Sequence, residues 1–177
     1  MPVNDPRQKV ALSAMVAGLF FSFSFVLIGS LYFPFELPQI ETPADKLFFV
    51  SENLVYAALP LVGGMLAVML RKFVRPAALE GEMLTDGSRL DIHIRFVRDT
   101  VYSLLLFMIM LGHLVMHLNG AFLRVIPVLT AWFIFARLYY WAAYLVSPLH
   151  RVFGSAATLA PILFFMLWSL FGLGGLL

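Results

Sequence analysis

No cysteine occurs among the 177 residues, and only 12% of the side chains are charged. The first absence excludes disulfides, thiolate nucleophiles and zinc-thiolate sites. The second excludes an ordinary water-facing surface, because a soluble domain of this size carries about 25% charged residues. The net charge of +2 is small and dispersed, whereas a nucleic-acid face needs a clustered basic patch; no nucleic-acid partner is expected. His113 and His117 have the i, i+4 spacing of helical metal ligands, but no HExxH sequence, carboxylate cluster or third ligand accompanies them, so no metal is expected either. No serine stands in a nucleophile-elbow context. Long polar runs are also missing: the longest, Arg71 to Asp99, is too short to build a core of its own.

What the chain has instead is apolar length. Apolar residues make up 62% of it and the mean hydropathy is +0.92. Val10 to Phe33 is uncharged over more than twenty residues, longer than the apolar region of about 7–15 residues in a secretory signal, which predicts a retained anchor helix. Ala14 and Gly18 form a small-xxx-small pair suited to close helix approach. Pro34, Pro38 and Pro43, with Glu36, Glu41 and Asp45 among them, predict an extended connection. A second span is expected over 47–70, kinked at Pro60, with Gly63, Gly64 and Ala67 as a packing surface. Asp86-Gly87 reads as a turn, followed by a third span over 97–117 that closes at Asn119-Gly120. A fourth span over 126–147 starts with Pro127 in its first turn, and Ser147-Pro148 ends it and, as N-cap and first residue, begins a short new helix. The fifth covers 155–177 and contains Pro161. The expected fold is therefore all-α, a polytopic membrane helix bundle with five transmembrane helices. Residues 1–46 form a tail, anchor helix and loop, and residues 47–177 a four-helix membrane domain.

Lysine and arginine in the loops set the expected orientation. Arg7, Lys9, the six basic residues between Arg71 and Arg98, and Arg151 put nine charges on one side, against Lys46 and Arg124 on the other. This predicts a cytoplasmic N-terminus and a non-cytoplasmic C-terminus.

Polar residues recur at steps of three and four on two of the spans. Arg137, Tyr140, Tyr144, Ser147 and Arg151 share one helical face of the fourth span and its continuation, and Arg95, Asp99, Tyr102, Leu106, Ile109, His113 and His117 share one face of the third. A guanidinium within a hydrocarbon slab costs at least about 2.5 kcal/mol, so it normally faces a protein interior or wet cavity and has a partner. Matching levels on two antiparallel helices brings Arg95, Asp99 and Tyr102 beside Tyr144, Ser147 and Arg151, a candidate pocket for a small anion held by guanidinium forks and phenol donors. The same residues also fit a structural role, with the arginines as positive-inside anchors, the tyrosines as an aromatic belt and Asp99 as a helix N-terminal charge. Deeper in the slab, Glu52, Arg137 and His113 are expected to form an internal polar network that fixes helix register.

The spelling ARLYYWAAYLVSPLHR over 136–151 resembles the MAPEG superfamily, the membrane-associated proteins of eicosanoid and glutathione metabolism. In its leukotriene C4 synthase-like members the matching helix carries an arginine, a tyrosine three on, another four further and an arginine seven beyond, here Arg137, Tyr140, Tyr144 and Arg151. The resemblance implies that Arg151 would stabilise a glutathione thiolate, as the catalytic residue of an enzyme, while Tyr140 and Tyr144 line the tripeptide pocket. On the companion helix the family has an arginine, an asparagine four on and a glutamate three further; here these are Arg95, Asp99 and Tyr102, so the arginine is kept and the other two are replaced. The segments IHIRFVRDTVYSLLLF, IPVLTAWFIFARLYYWAAYLV and RVFGSAATLAPILFFMLWSLF, with YFPFELP after an extra first span, are most similar to the mattrin-like, five-span branch. This implies one added N-terminal helix before a MAPEG-like four-helix core, a homotrimer, membrane lipids and unidentified proteins as partners, and a role in membrane trafficking and secretory organelles with no established reaction. Glutathione enters as a co-substrate only in the alternative reading, a transferase or peroxidase.

Overall fold

The computed structural model describes residues 5–32, 40, 42–74, 88–147 and 149–170. Pro34, Glu36, Pro38 and Glu41 of the expected connection, the Asp86-Gly87 turn, Pro148 and residues 171–177 lie outside the described residues. The described chain is helical: α1 (Pro6–Tyr32), α2 (Pro43–Ala57), α3 (Leu59–Val74), α4 (Arg89–His117), a 3₁₀ turn (Gly120–Arg124), α5 (Val125–Val146) and α6 (Arg151–Leu170). These make five helices long and apolar enough to cross a membrane, with α2 and α3 as one 32-residue unit.

Local chemistry sets the boundaries, and in places they differ from the hydropathy reading. α2 begins at Pro43 rather than in the middle of an extended connection. Thr42 accepts from the Asp45 backbone N–H, and the Asp45 carboxylate accepts from the Thr42 N–H, a reciprocal capping box. Pro43, at the first helical position, has no N–H to lose. α4 begins at Arg89, two turns before the apolar run, because Ser88 Oγ accepts from the Asp91 N–H and Asp91 sits favourably in the first turn. The break between α2 and α3 falls at Ala58, two residues before Pro60, which cannot donate to the Tyr56 carbonyl. Gly120 opens the 3₁₀ turn with φ +55°, a left-handed conformation natural to glycine.

Small residues bring the helices together. A Cβ on Gly18 of α1 would sit 2.7 Å from the Phe153 carbonyl of α6, and one on Gly154 would sit 2.7–2.9 Å from the Tyr140 backbone and Cβ of α5. Three helices thus approach to backbone contact along one line. On the other side of the bundle, Gly64 of α3 receives the Phe96 ring of α4. Phe107 and Phe133 stack with centroids 4.5 Å apart in the main apolar core between α4 and α5.

Pro161 leaves the Ala157 carbonyl without its helical donor, and Trp132 Nε1 of α5 donates to that oxygen at 2.8 Å. At the opposite end of the bundle from Arg151, Lys46 Nζ donates to Leu118 O and to Asn119 Oδ1, both at 2.8 Å. This ties the start of α2 to the end of α4.

Candidate functional site: a polar cleft at the start of α6

The start of α6, the first turns of α4, the second half of α5 and the first third of α1 enclose a cleft of about 430 Å³. Its polar wall is Arg95, Arg98 and Asp99 of α4, Tyr140 of α5, and Arg151 and Ser155 of α6; Met15 of α1 closes one side. That volume lies within the range of small-molecule sites, about 300–1,000 Å³.

Each polar group is held by something specific. Tyr140 Oη donates to Asp99 Oδ2 at 2.7 Å, and Arg98 Nε lies 3.6 Å from Asp99 Oδ1. Arg95 Nε pairs with Asp91 at 2.9 Å, one helical turn back. Arg151 has no carboxylate partner among the described residues; its Cζ lies 4.5 Å from the centroid of the Tyr144 ring, a cation–π distance. Three guanidiniums and one carboxylate therefore face a partly enclosed space, and the guanidinium at the mouth of α6 is braced by a ring rather than neutralised by an acid.

The structure brings Arg95, Asp99, Tyr140 and Arg151 to one cleft and leaves other expected members outside it. Tyr144 is buried but does not line the space; it supports Arg151 from behind, because it lies one turn beyond the level at which Tyr140 meets Asp99. Tyr102 is 61% exposed. The buried line of α4 runs through Phe96, Thr100, Ser103 and Phe107, and Tyr102 is turned about 100° away from Ser103.

The expected network of Glu52, Arg137 and His113 does not form. Arg137 is 2% exposed, donates from Nε to Thr158 Oγ1 at 3.0 Å and lies with Cζ 4.9 Å from the Tyr140 ring centroid. Thr158 in turn donates to Gly154 O at 2.8 Å. The Tyr140 hydroxyl reaches Asp99, so Arg137 belongs to the cleft end of the bundle. His113 lies 14 positions further along α4 than Asp99, about 21 Å by helical rise. It is exposed and stacks on His117 with ring centroids 4.3 Å apart. Glu52 is exposed as well: Asn53 is the inward residue of that turn and donates from Nδ2 to Phe49 O at 2.8 Å.

Arg98, Ser155 and Met15 complete the cleft, although the polar stripes do not include them. Arg98 and Ser155 carry a legible signal, since each lies three or four positions from a residue on a stripe, Arg95 and Arg151 respectively. Met15 comes from an apolar helix whose polarity is uniform around its circumference, and nothing in the pattern marks it. Behind the cleft, Trp141 Nε1 donates to His93 Nδ1 at 2.9 Å, and Phe96 stacks on Trp141 at 4.8 Å. This aromatic block fixes the α4–α5 spacing on which the Asp99–Tyr140 contact depends. Among the described residues no group of three or more potential metal ligands occurs.

Comparison with known proteins gives no matching family model and no matching solved structure. Two curated relatives match almost the whole chain. Transmembrane protein 79 of Mus musculus is 30% identical over 166 residues, 91% of this chain and 41% of that protein. Transmembrane protein 79 of Bos taurus is 30% identical over 168 residues, 93% of this chain and 42% of that protein. The chain spans about two fifths of the length of the curated relatives it matches. With five helices long and apolar enough to cross a membrane, and relatives named as transmembrane proteins, this is an integral multi-pass membrane protein that presents its apolar faces to lipid.

Proposed function

We propose that this is a mattrin-like member of the MAPEG superfamily that acts without turnover, its cleft holding an anionic lipid headgroup in support of a membrane or trafficking role. The mattrin-like part of the reading agrees with the relatives' name. The observation that carries the non-catalytic part is Asp99. Its carboxylate lies in the same cleft as Arg151 and engages the Tyr140 hydroxyl. A thiol placed beside Arg151 would be deprotonated next to an existing negative charge, with one of its two expected phenol donors already committed, and both effects oppose thiolate formation. A phosphate spread over Arg95, Arg98 and Arg151 meets three guanidiniums against two carboxylates, Asp99 in the cleft and Asp91 on Arg95, an excess of positive charge that still favours binding. The chain is proposed to form a homotrimer, with its N-terminus and the cleft on the cytoplasmic side and its C-terminus on the other. The host membrane is the endoplasmic reticulum or another secretory membrane in a eukaryote, and the inner membrane in a bacterium.

A second reading rests on the bracing of Arg151 over Tyr144. A preorganised guanidinium is what a glutathione-dependent transferase or peroxidase needs to hold a thiolate, with Arg95 on a carboxylate and Tyr140 reoriented from Asp99.

Thermal melting of the detergent-purified protein separates the two readings. Short-chain phosphatidic acid should raise the melting temperature saturably, phosphatidylcholine and glutathione should not, and Arg151→Ala should abolish the rise. Saturable stabilisation by glutathione, with no response to phosphatidic acid, would favour the enzyme.

A further inference from the structure

The outward face of α2 carries a carboxylate. Glu52 is exposed between Phe48 and Tyr56, themselves 65% and 59% exposed, and it has no ion-pair partner among the described residues. By helical rise it stands about 9 Å inward of Lys46, and the span continues to Arg71, about 37 Å from Lys46. Centred on a hydrocarbon layer of about 30 Å, that span places Glu52 within the apolar slab. An ionisable side chain at that depth calls for a partner.

α4 presents a complementary patch at a similar depth. Lys46 is bonded to Leu118 O, and His113 stands about 7.5 Å inward of Leu118 by the same rise, within about one helical turn of the Glu52 level. His113 is exposed, with the His117 ring 4.3 Å from its own and no ion-pair partner among the described residues. Immediately before it, a Cβ built on Gly112 meets nothing within 4 Å, whereas one on Gly18, Gly64 or Gly154 would collide with a neighbouring helix. Glycine in a helix interior is destabilising unless something uses the space it leaves, and on a membrane helix that use is the close approach of another backbone. Among the described residues of the protomer, nothing lies within 4 Å of that Cβ position.

We propose that the Glu52 face of α2 docks on the Gly112–His113 edge of α4 in a second copy of the chain, carboxylate against imidazole. The two patches lie on different helices, so the contact is heterologous, and repetition about an axis closes a ring. The inference rests on the self-assembly proposed above and adds the surface that mediates it; it is independent of what the cleft binds.

The chain has no cysteine, so two introduced thiols report the contact without background. Glu52→Cys and His113→Cys chains carrying different tags are coexpressed and oxidised in native membranes with copper phenanthroline. The expected product is a dimer bearing both tags, formed from the mixture and not from either variant alone. Adding Gly112→Leu to the His113→Cys chain should lower its yield at least tenfold while leaving the helical circular dichroism of the detergent-purified chain unchanged, since a Cβ at that position meets nothing within 4 Å among the described residues of the protomer. Amine-reactive cross-linking of the wild-type chain in the same membranes distinguishes the ways of failing. Multimers without the mixed disulfide would overturn the contact alone, and monomers would overturn the contact together with self-assembly. A Glu52→Cys chain that links to itself would make the interface isologous and also overturn the proposal.

Discussion

Tyr140 Oη donates to Asp99 Oδ2 at 2.7 Å across the α4–α5 interface, and this bond ties the negative charge of the cleft to its central phenol. Asp99→Asn keeps an oxygen that can accept from Tyr140 and removes only the charge. At an effective dielectric of about 20, a unit charge some 8 Å from a bound anion contributes about 2 kcal/mol of repulsion. The variant should therefore bind short-chain phosphatidic acid up to about thirtyfold more tightly, measured as a shift in the midpoint of its melting-temperature titration. Unchanged or weaker binding would mean that Asp99 does not face the anion.

Gly154 allows α6 to reach the backbone of α5, with a virtual Cβ 2.7 Å from Tyr140 Cβ. Gly154→Ala has rigid backbone to displace, not a flexible side chain, and overpacking of that kind costs about 1–3 kcal/mol. The variant should melt lower and respond less to anionic lipid, because Tyr140 and Arg151 lie on the two helices forced apart. The same substitution at Gly112 displaces no described atom of the protomer, where a Cβ meets nothing within 4 Å, and should leave the response to anionic lipid unchanged.

Trp132 supplies the donor that Pro161 denies to Ala157 O. Trp132→Phe leaves that carbonyl unpaired in an apolar setting, at about 1–3 kcal/mol. Pro161→Ala restores a helical N–H at the required position. The Trp132→Phe, Pro161→Ala double variant should accordingly melt higher than Trp132→Phe alone, and equal melting temperatures would show that the indole contributes only by packing.

Orientation is testable on the same cysteine-free background. In sealed vesicles with the cytoplasmic face outward, Lys9→Cys should react with a membrane-impermeant maleimide, and Arg124→Cys, beyond the end of α4, should react only after permeabilisation. The reverse pattern would invert the proposed topology.

The five spans were legible because an apolar run of twenty residues has few alternatives, and their ends were not because hydropathy ignores caps. Thr42 with Asp45, and Ser88 with Asp91, start α2 and α4 among polar residues that a hydropathy window averages away. The cleft was legible in part. Spacings of three and four select a face of a helix, and Arg95, Asp99, Tyr140 and Arg151 lie where such a face meets neighbouring helices. A face extends further along the axis than any site, however: Tyr102 and His113 follow the same stripe as Asp99 and end on the outside of the bundle. Glu52 shows the complementary limit, since one position separates it from Asn53 and one position is about 100° of rotation. Gly18 marks a close helix approach in the sequence without identifying α6 as the partner, and the contribution of Met15 to the cleft depends on tertiary packing that carries no polar signature.

Ultraviolet absorbance of glutathione thiolate, followed while glutathione is titrated into the purified protein, tests the non-catalytic reading most directly. With the Asp99 carboxylate in the same cleft as Arg151, no saturable thiolate signal should appear. A signal that saturates at one thiolate per cleft in the wild-type protein, and disappears in Arg151→Ala, would contradict the reading and make the cleft an active site.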